Sequence, residues 1–535
     1  MQTEEEALTA SLAAFDKKLG TYRSINAGNY ADDAVSGSYS VVVNSRYAML
    51  CGSDFEEPLD GAQTLRAECI SILRSSLPIS MAFLMEFSMT ICSLFIIGHL
   101  CTAMELASAS LAVMTYNITG LSLVEGLATA LDTVCPQAYG SQRYSKVGLY
   151  FLRGSAMIMV GMSLTAIIWF FSASWLQLLI PEADLIPKIQ LYLRIMILGI
   201  PALVLFSTGK RYLQAQAVYE ASTYVLAIVF PLTIVFVLGF TRHFGFVGAP
   251  IGIVTSQWLM VIILFVFARS IRPDTLRCWY PFMQSSHHFK RVFTHWRPLW
   301  DLAFPGLVML EAEFLSIEAL TLISTYFGVN AIASQTVIAN LSSLIYQIPF
   351  AIGCVISNRV AHYVGSGLIK NAQMTIKASY CLASIVGVSM CLFVAFLNKP
   401  LARLFTNNEE VVELAHSVSY ILAVNQIYDA FNTFGAAILR GQGRQRLGGI
   451  WNMIAYYIVS LPLGWWLAFG PLKLKLAGLW YGCGIGILIL ALAFSWYIYN
   501  SDWQLIIQEC NKRENTEVEN DMLHSDSVDA SFSSQ

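Results

Sequence analysis

Between positions 69 and 500 the chain is a succession of twelve largely apolar runs, near 69–97, 106–131, 147–172, 187–208, 218–240, 247–269, 300–326, 331–358, 372–397, 411–438, 446–470 and 476–500. Each has the roughly 20 residues that a helix needs to cross the hydrocarbon layer of a bilayer. No water reaches that layer to satisfy the backbone, so a spanning segment must bond its own amides and carbonyls. Runs this long do so as helices, since a barrel strand needs only about ten residues. The expected fold class is an all-α polytopic membrane protein. Composition agrees, because 56% of the 535 residues are hydrophobic and 13% charged, against roughly a quarter charged in soluble domains.

The longest break divides the runs six and six. It covers 271–298 and carries Arg272, Arg277, Lys290, Arg291 and Arg297. The expected organisation is a first lobe at 66–270, a hydrophilic cytoplasmic linker at 271–298 and a second lobe at 299–500. Polar, acidic or serine-rich tails at 1–65 and 501–535 lack the apolar density to fold alone and are expected to be disordered. Nothing in the first tail resembles the short apolar core of a cleaved signal peptide.

The two lobes repeat one another. Pro78 is followed eight positions later by Glu86, and Pro305 by Glu313, an offset of 227 residues. Gly140-Ser141 and Gly365-Ser366 each close an apolar run, and Gly248 and Gly478 each open a sixth one. Six runs per half bring each half back to the side on which it began, so the repeats are parallel and related by an axis along the membrane normal. Seventeen Lys and Arg residues border the loops on the side of the termini, including Arg143, Lys146, Lys210, Arg211 and Arg440. Seven border the opposite loops: Lys188, Arg194, Arg242, Lys399, Arg403, Lys473 and Lys475. The positive-inside rule then places both termini in the cytoplasm.

Several function classes are excluded by what the chain contains. A net charge of −3 provides no field for nucleic acid. Eleven scattered cysteines without a CxxC pair indicate neither a disulfide framework nor a metal site. No phosphate-binding loop, HExxH or nucleophile elbow is present, so the energy for any transport must come from a gradient. One proton moving down 100 mV supplies about 2.3 kcal/mol, enough for a nearly fifty-fold concentration ratio.

Chemistry inside the spans rests on acids. An ionised carboxylate at mid-membrane costs roughly 3 kcal/mol or more, so each one is a functional candidate. Glu86 lies in the first run, Glu311, Glu313 and Glu318 in the seventh, and Asp429 in the tenth. At about 100° per residue, Glu311 and Glu318 share a helix face while Glu313 points almost opposite to Glu311. Asp429 has Asn425 and Asn432 one turn away on either side as internal hydrogen-bond partners. Glu125 and Asp132 are expected to anchor the end of the second run to Arg143 or Lys146. Tyr116, Tyr346 and Tyr428 are aromatic enough to face a cation. The sequons Asn117-Ile-Thr119 and Asn340-Leu-Ser342 fall inside runs and are not expected to be glycosylated.

The motifs GHL at 98–100, GLATALDTVCPQAYGS at 126–141, LAFPGLVMLEAEFLSIE in the seventh run, SNRVAHYVGSG and LRGQGRQRLGG together resemble the multidrug and toxic compound extrusion family, in its eukaryotic and most nearly its fungal branch. The resemblance covers 66–500. It implies twelve helices in two pseudo-symmetric six-helix bundles forming a V, and antiport of small organic cations or amphipathic compounds against protons. Carried over by position, it assigns cation coupling and substrate binding to Glu313, Glu318 and Asp429, with Glu86, Glu311, Asn340, Tyr346 and Gln347 as further candidates. Glu311 has no usual counterpart, and Asn340 stands where animal members place another acid. No cofactor or metal is expected, only the coupling ion. The expected partners are small organic substrates and the lipid bilayer, with the chain monomeric in the plasma or vacuolar membrane. Sodium coupling and a lipid-linked precursor flippase are the alternatives; the flippase is disfavoured because its large basic cavity needs Lys or Arg deep in the spans, and none is expected there in this chain.

Overall fold

The computed structural model describes residues 64–177, 182–281, 286–403, 405–406 and 408–513. The expected N-terminal tail, apart from its last two residues, and the C-terminal tail from 514 lie outside them. Twelve helical spans follow in order: α1 Leu65–Leu100, α2 Ala103–Gly140, α3 Tyr144–Phe170, α4 Ala183–Gln214, α5 Ala221–Phe244, α6 Gly248–Val266, α7 Arg297–Ser324, α8 Val329–Gly365, α9 Ile369–Arg403, α10 Glu409–Gly441, α11 Gln445–Phe469 and α12 Lys475–Tyr499. No strand occurs among the described residues. Most of these helices meet the usual length and apolarity for crossing a membrane, but α7 and α10 fall short of it. Those two carry Glu311, Glu313, Glu318 and Asp429, so the helices least suited to lipid hold four of the five candidate acids, with Glu86 on the apolar α1 as the fifth.

Local sequence explains the ends and breaks. Thr102 and Glu105 form a reciprocal capping box at the start of α2, satisfying amides that the first turn leaves open. Pro78 and Pro305 sit inside α1 and α7, where each removes a backbone donor. Large apolar side chains such as Leu77, Phe95, Leu164, Leu198, Phe396 and Trp496 stay exposed on the outer surface, as a lipid-facing surface requires.

Each lobe has its own apolar core, and the first helix of each lobe reaches into the other. Ile72 and Ile79 of α1 belong to the second lobe's cluster, while Leu299, Leu302 and Ala303 of α7 belong to the first. The duplicated Gly-Ser pairs close this exchange. A side chain on Gly140 would strike the His362 carbonyl, and one on Gly365 would strike that of Gln137. The two glycines therefore permit the ends of α2 and α8 to meet backbone to backbone.

Contacts between the lobes run from this basic, loop-rich end to about mid-depth. Gln137 Nε2 donates to the Gly441 carbonyl at 3.1 Å, Thr133 to the Arg440 carbonyl at 2.7 Å, and Gln445 Nε2 to Thr133 at 2.9 Å. Arg359 of α8 grips Glu68 of α1 through Nε at 2.9 Å and Nη2 at 2.6 Å, both side chains being 1% exposed. The innermost of these contacts joins Ser122 of α2 to Glu311 of α7. Beyond it, the outer part of α2 (Ala103–Tyr116) packs chiefly within its own lobe.

The ordered chain extends past the expected boundary at 500. Residues 503–513 form a helix, α13, capped by Asp502 and burying Ile506 and Cys510. It touches both lobes at the basic end, through Cys510 to Gln137 and through Arg513 beside Gly443. Five of the seventeen basic residues assigned to loop edges, Arg153, Lys210, Arg211, Arg359 and Arg440, are buried in helices. The remaining twelve still outnumber the seven of the opposite end.

Candidate functional site

Glu313 is carried by α7, eight residues after Pro305, and opens onto a pocket of about 360 Å³ in the second lobe. Met309, Leu310, Tyr346, Asn432, Thr433, Ala436, Arg440 and Asn452 complete its lining. The Tyr346 hydroxyl faces Glu313, and the Asp429 carboxylate lies near enough to interact with it electrostatically. Asp429 is 7% exposed, has Asn432 as its side-chain partner and leaves Oδ1 without a hydrogen bond. Asn425, its other expected partner, turns away and donates to the Trp480 carbonyl at 3.2 Å.

Arg440 is the cation of this pocket. Its guanidinium lies over Phe350 at 5.9 Å, acts on Glu313 from a distance, and forms no salt bridge among the described residues. Two carboxylates and one guanidinium leave the group one negative charge in excess when all are ionised. In a medium that cannot solvate it, such an excess is relieved by taking up a proton or a cation.

The other candidates are scattered. Glu318 and Gln347 do not line this pocket; Gln347 bonds to the Ser343 carbonyl of its own helix at 3.3 Å. Asn340 is exposed on α8. Glu311 points to the other lobe, as its near-opposition to Glu313 on the helix predicts. Tyr428 lines neither this pocket nor the one in the first lobe.

Glu86, the pseudo-mate of Glu313, lines a separate pocket of about 690 Å³ in the first lobe with Tyr116, Asn117, Tyr192 and Gln257. The lobes differ in what neutralises their acids. Glu86 stands 4.0 Å from Lys210, which binds Glu125 at 2.9 Å; Arg211 binds Glu125 at 2.9 Å and Asp132 at 3.0 Å. The expected anchors Arg143 and Lys146 are thus corrected to two bases on α4. The expectation that no base lies deep in the spans is corrected as well, although these two bases and Arg359 are each matched to carboxylates. A signal existed in the sequence: Glu125 and Asp132, seven apart, share one helix face and require buried counter-charges.

The MatE family model matches this chain twice, at residues 78–238 and 305–466, opening each time on the proline that begins the repeat. The chain belongs to the MATE family. It is 38% identical over 475 residues to an uncharacterised transporter of Saccharomyces cerevisiae, covering 87% of this chain and 66% of that relative. A multidrug and toxin extrusion protein 2 of Mus musculus is 28% identical over 453 residues, covering 84% of this chain and 77% of that protein. The crystal structure of the eukaryotic MATE transporter AtDTX14 superimposes with a TM-score of 0.75 at 25% identity, over 83% of this chain and 99% of that one. The two six-helix bundles described above are those of a MATE transporter.

Proposed function

We propose that this MATE transporter is a proton-coupled antiporter that exports small organic cations or amphipathic compounds, with Glu313 and Asp429 as the shared site for proton and substrate. The observation that carries the reading is the charge around the second-lobe pocket, where Arg440 offsets only one of two carboxylates, Glu313 in the lining and Asp429 buried close behind it. Either a proton or an organic cation cancels the excess, and one excludes the other. That exclusivity is what exchange requires: the lobes reorient with one occupant or the other. In the first lobe Lys210 and Arg211 face three acids, Glu86, Glu125 and Asp132, which also leaves one negative charge in excess, so Glu86 stands as a further candidate for the coupling ion.

Glu318, on the α7 face turned toward the first lobe, is assigned to the approach to this pocket. The bias of basic residues supports cytoplasmic termini, with export out of the cytosol across the plasma or vacuolar membrane. The test is uptake into proteoliposomes under an imposed pH gradient. Glu313→Gln with Asp429→Asn should lower gradient-driven uptake by at least about tenfold, the loss of roughly 1.4 kcal/mol of coupling or more. Unchanged pH-dependent uptake in that double variant sinks the assignment. A sodium gradient imposed at fixed pH, if it drives uptake instead, replaces the proton with sodium as coupling ion.

A further inference from the structure

The linker between the lobes, hydrophilic by composition, turns an aromatic edge outward where it approaches α7. A short helix, Ser286–Val292, leads through a turn into that span. Phe289 and Phe293 are 51% and 52% exposed, with ring centroids 5.2 Å apart. Trp296 continues the row 6.4 Å from Phe293, and Trp300 and Phe304, 47% and 50% exposed, stack at 5.9 Å in the first two turns of α7.

The other side of this segment is already occupied. Val292 is buried with Leu149 of α3 and Tyr280, and the buried Arg153 of α3 donates through Nε to the Arg291 carbonyl at 2.9 Å. Leu299, Leu302 and Ala303 fill part of the first lobe's core. The aromatic edge is thereby held facing away from the protein. Exposed apolar residues scattered singly need no explanation, whereas a contiguous row of rings marks a surface that something covers. Its far end, at Trp300 and Phe304, is continuous with the lipid-facing side of a span. Charge identifies the rest of the partner. From 286 to 304 the chain holds three bases, Lys290, Arg291 and Arg297, against one acid, Asp301. Arg291 lies over the Tyr280 ring at 5.9 Å, while Lys290 and Arg297 are exposed and hold no salt bridge among the described residues.

We infer that this segment is a docking site for anionic phospholipid: Phe289 and Phe293 enter the headgroup boundary of the leaflet at the basic end, and Lys290 and Arg297 engage the anionic headgroups there. Aromatic side chains collect at that depth, and bases beside it are drawn to negative lipid. A zwitterionic lipid would cover the rings equally well but would leave the two bases without a net counter-charge. Neither Glu313 nor Asp429 takes part, so the site is tested without substrate or gradient.

Bimane attached to Phe293→Cys, in a full-length chain freed of native cysteines and held in nanodiscs, reports what touches the row. Nitroxide-bearing phosphatidylserine and nitroxide-bearing phosphatidylcholine are compared as quenchers at equal mole fraction, with aqueous iodide as the third. Both lipids should quench more than iodide. Phosphatidylserine should associate at least about fivefold more strongly than phosphatidylcholine, the worth of one base near an anionic surface. Lys290→Gln with Arg297→Gln should keep the lipid contact and lose the preference, whereas Lys290→Arg with Arg297→Lys should keep both. Iodide as the stronger quencher would place the row in water and overturn the assignment. Shielding from all three, as by a second copy seated on the row, would overturn it too. So would equal quenching by the two lipids before the bases are changed, or a preference that persists undiminished after both become Gln.

Discussion

Arg359 and Glu68 are the clearest case of residues that only function as a pair. Both are almost wholly buried, one on each lobe, and Thr375 adds a further hydrogen bond to Glu68 at 2.7 Å. Removing one partner strands a charge where nothing solvates it, at a cost of about 3–5 kcal/mol, whereas replacing both by apolar residues is often tolerated. Arg359→Met should therefore lower the thermal midpoint of the purified protein well below that of Glu68→Met/Arg359→Met. Equal midpoints for the single and double variants would mean that the pair does not act as a unit. The same logic marks the limit of what the sequence revealed about the site. Glu313 and Asp429 were legible because each is an acid in an apolar run, and the repeat singled out Glu313. Arg440 and Lys210 were not, because a base near the end of a run looks the same whether it turns to water or inward to a carboxylate. Only the packing of α4 and α10 decides that, and it depends on residues far apart in the chain.

At the scale of elements, all twelve helices were legible, since crossing a bilayer imposes a length that composition reports directly. Their ends were less so. The α2 and α8 helices run seven or more residues past their apolar stretches, to Gly140 and Gly365, because each is held there by the other lobe. Likewise α13 follows a polar stretch and yet buries Ile506 and Cys510 against the spans. These extensions are tertiary in origin. The glycine contact carries a prediction at this scale. A methyl group on Gly140 or Gly365 meets backbone rather than a movable side chain, so Gly140→Ala and Gly365→Ala should disfavour the closed end by on the order of 1–3 kcal/mol. The distance between spin labels at exposed Ser145 of α3 and exposed Lys370 of α9, both at the basic end, should lengthen in both variants. Gly239→Ala, where nothing lies within 4 Å, is the control and should leave it unaltered. An unchanged distance in the two test variants would show that the ends of α2 and α8 do not need to meet.

For the whole molecule, the distribution of contacts specifies a state of the transport cycle. Hydrogen bonds join the lobes from the basic end as far as Ser122 and Glu311, and the outer part of α2 packs chiefly within its own lobe. If the basic end is cytoplasmic, the hydrogen bonds between the lobes lie toward the cytosol, as the proposed exchange requires of its outward-facing state. Glu318, seven residues beyond Glu311 on the same face of α7, then looks into the open cleft above the last contact. This predicts a sidedness that neither lobe could produce alone. In a variant freed of native cysteines and carrying Glu318→Cys, a membrane-impermeant thiol reagent added outside should label the position, while the same reagent added to inside-out vesicles should label it much more slowly. Conditions that shift the population to the inward-open state should exchange the two rates, because parting the basic end exposes the same face of α7 from below. Labelling equally fast from both sides would indicate a continuous pore, and labelling from neither would indicate a sealed cleft. Of the three outcomes, alternation between the two sides is the one that the proposed exchange between two lobes requires.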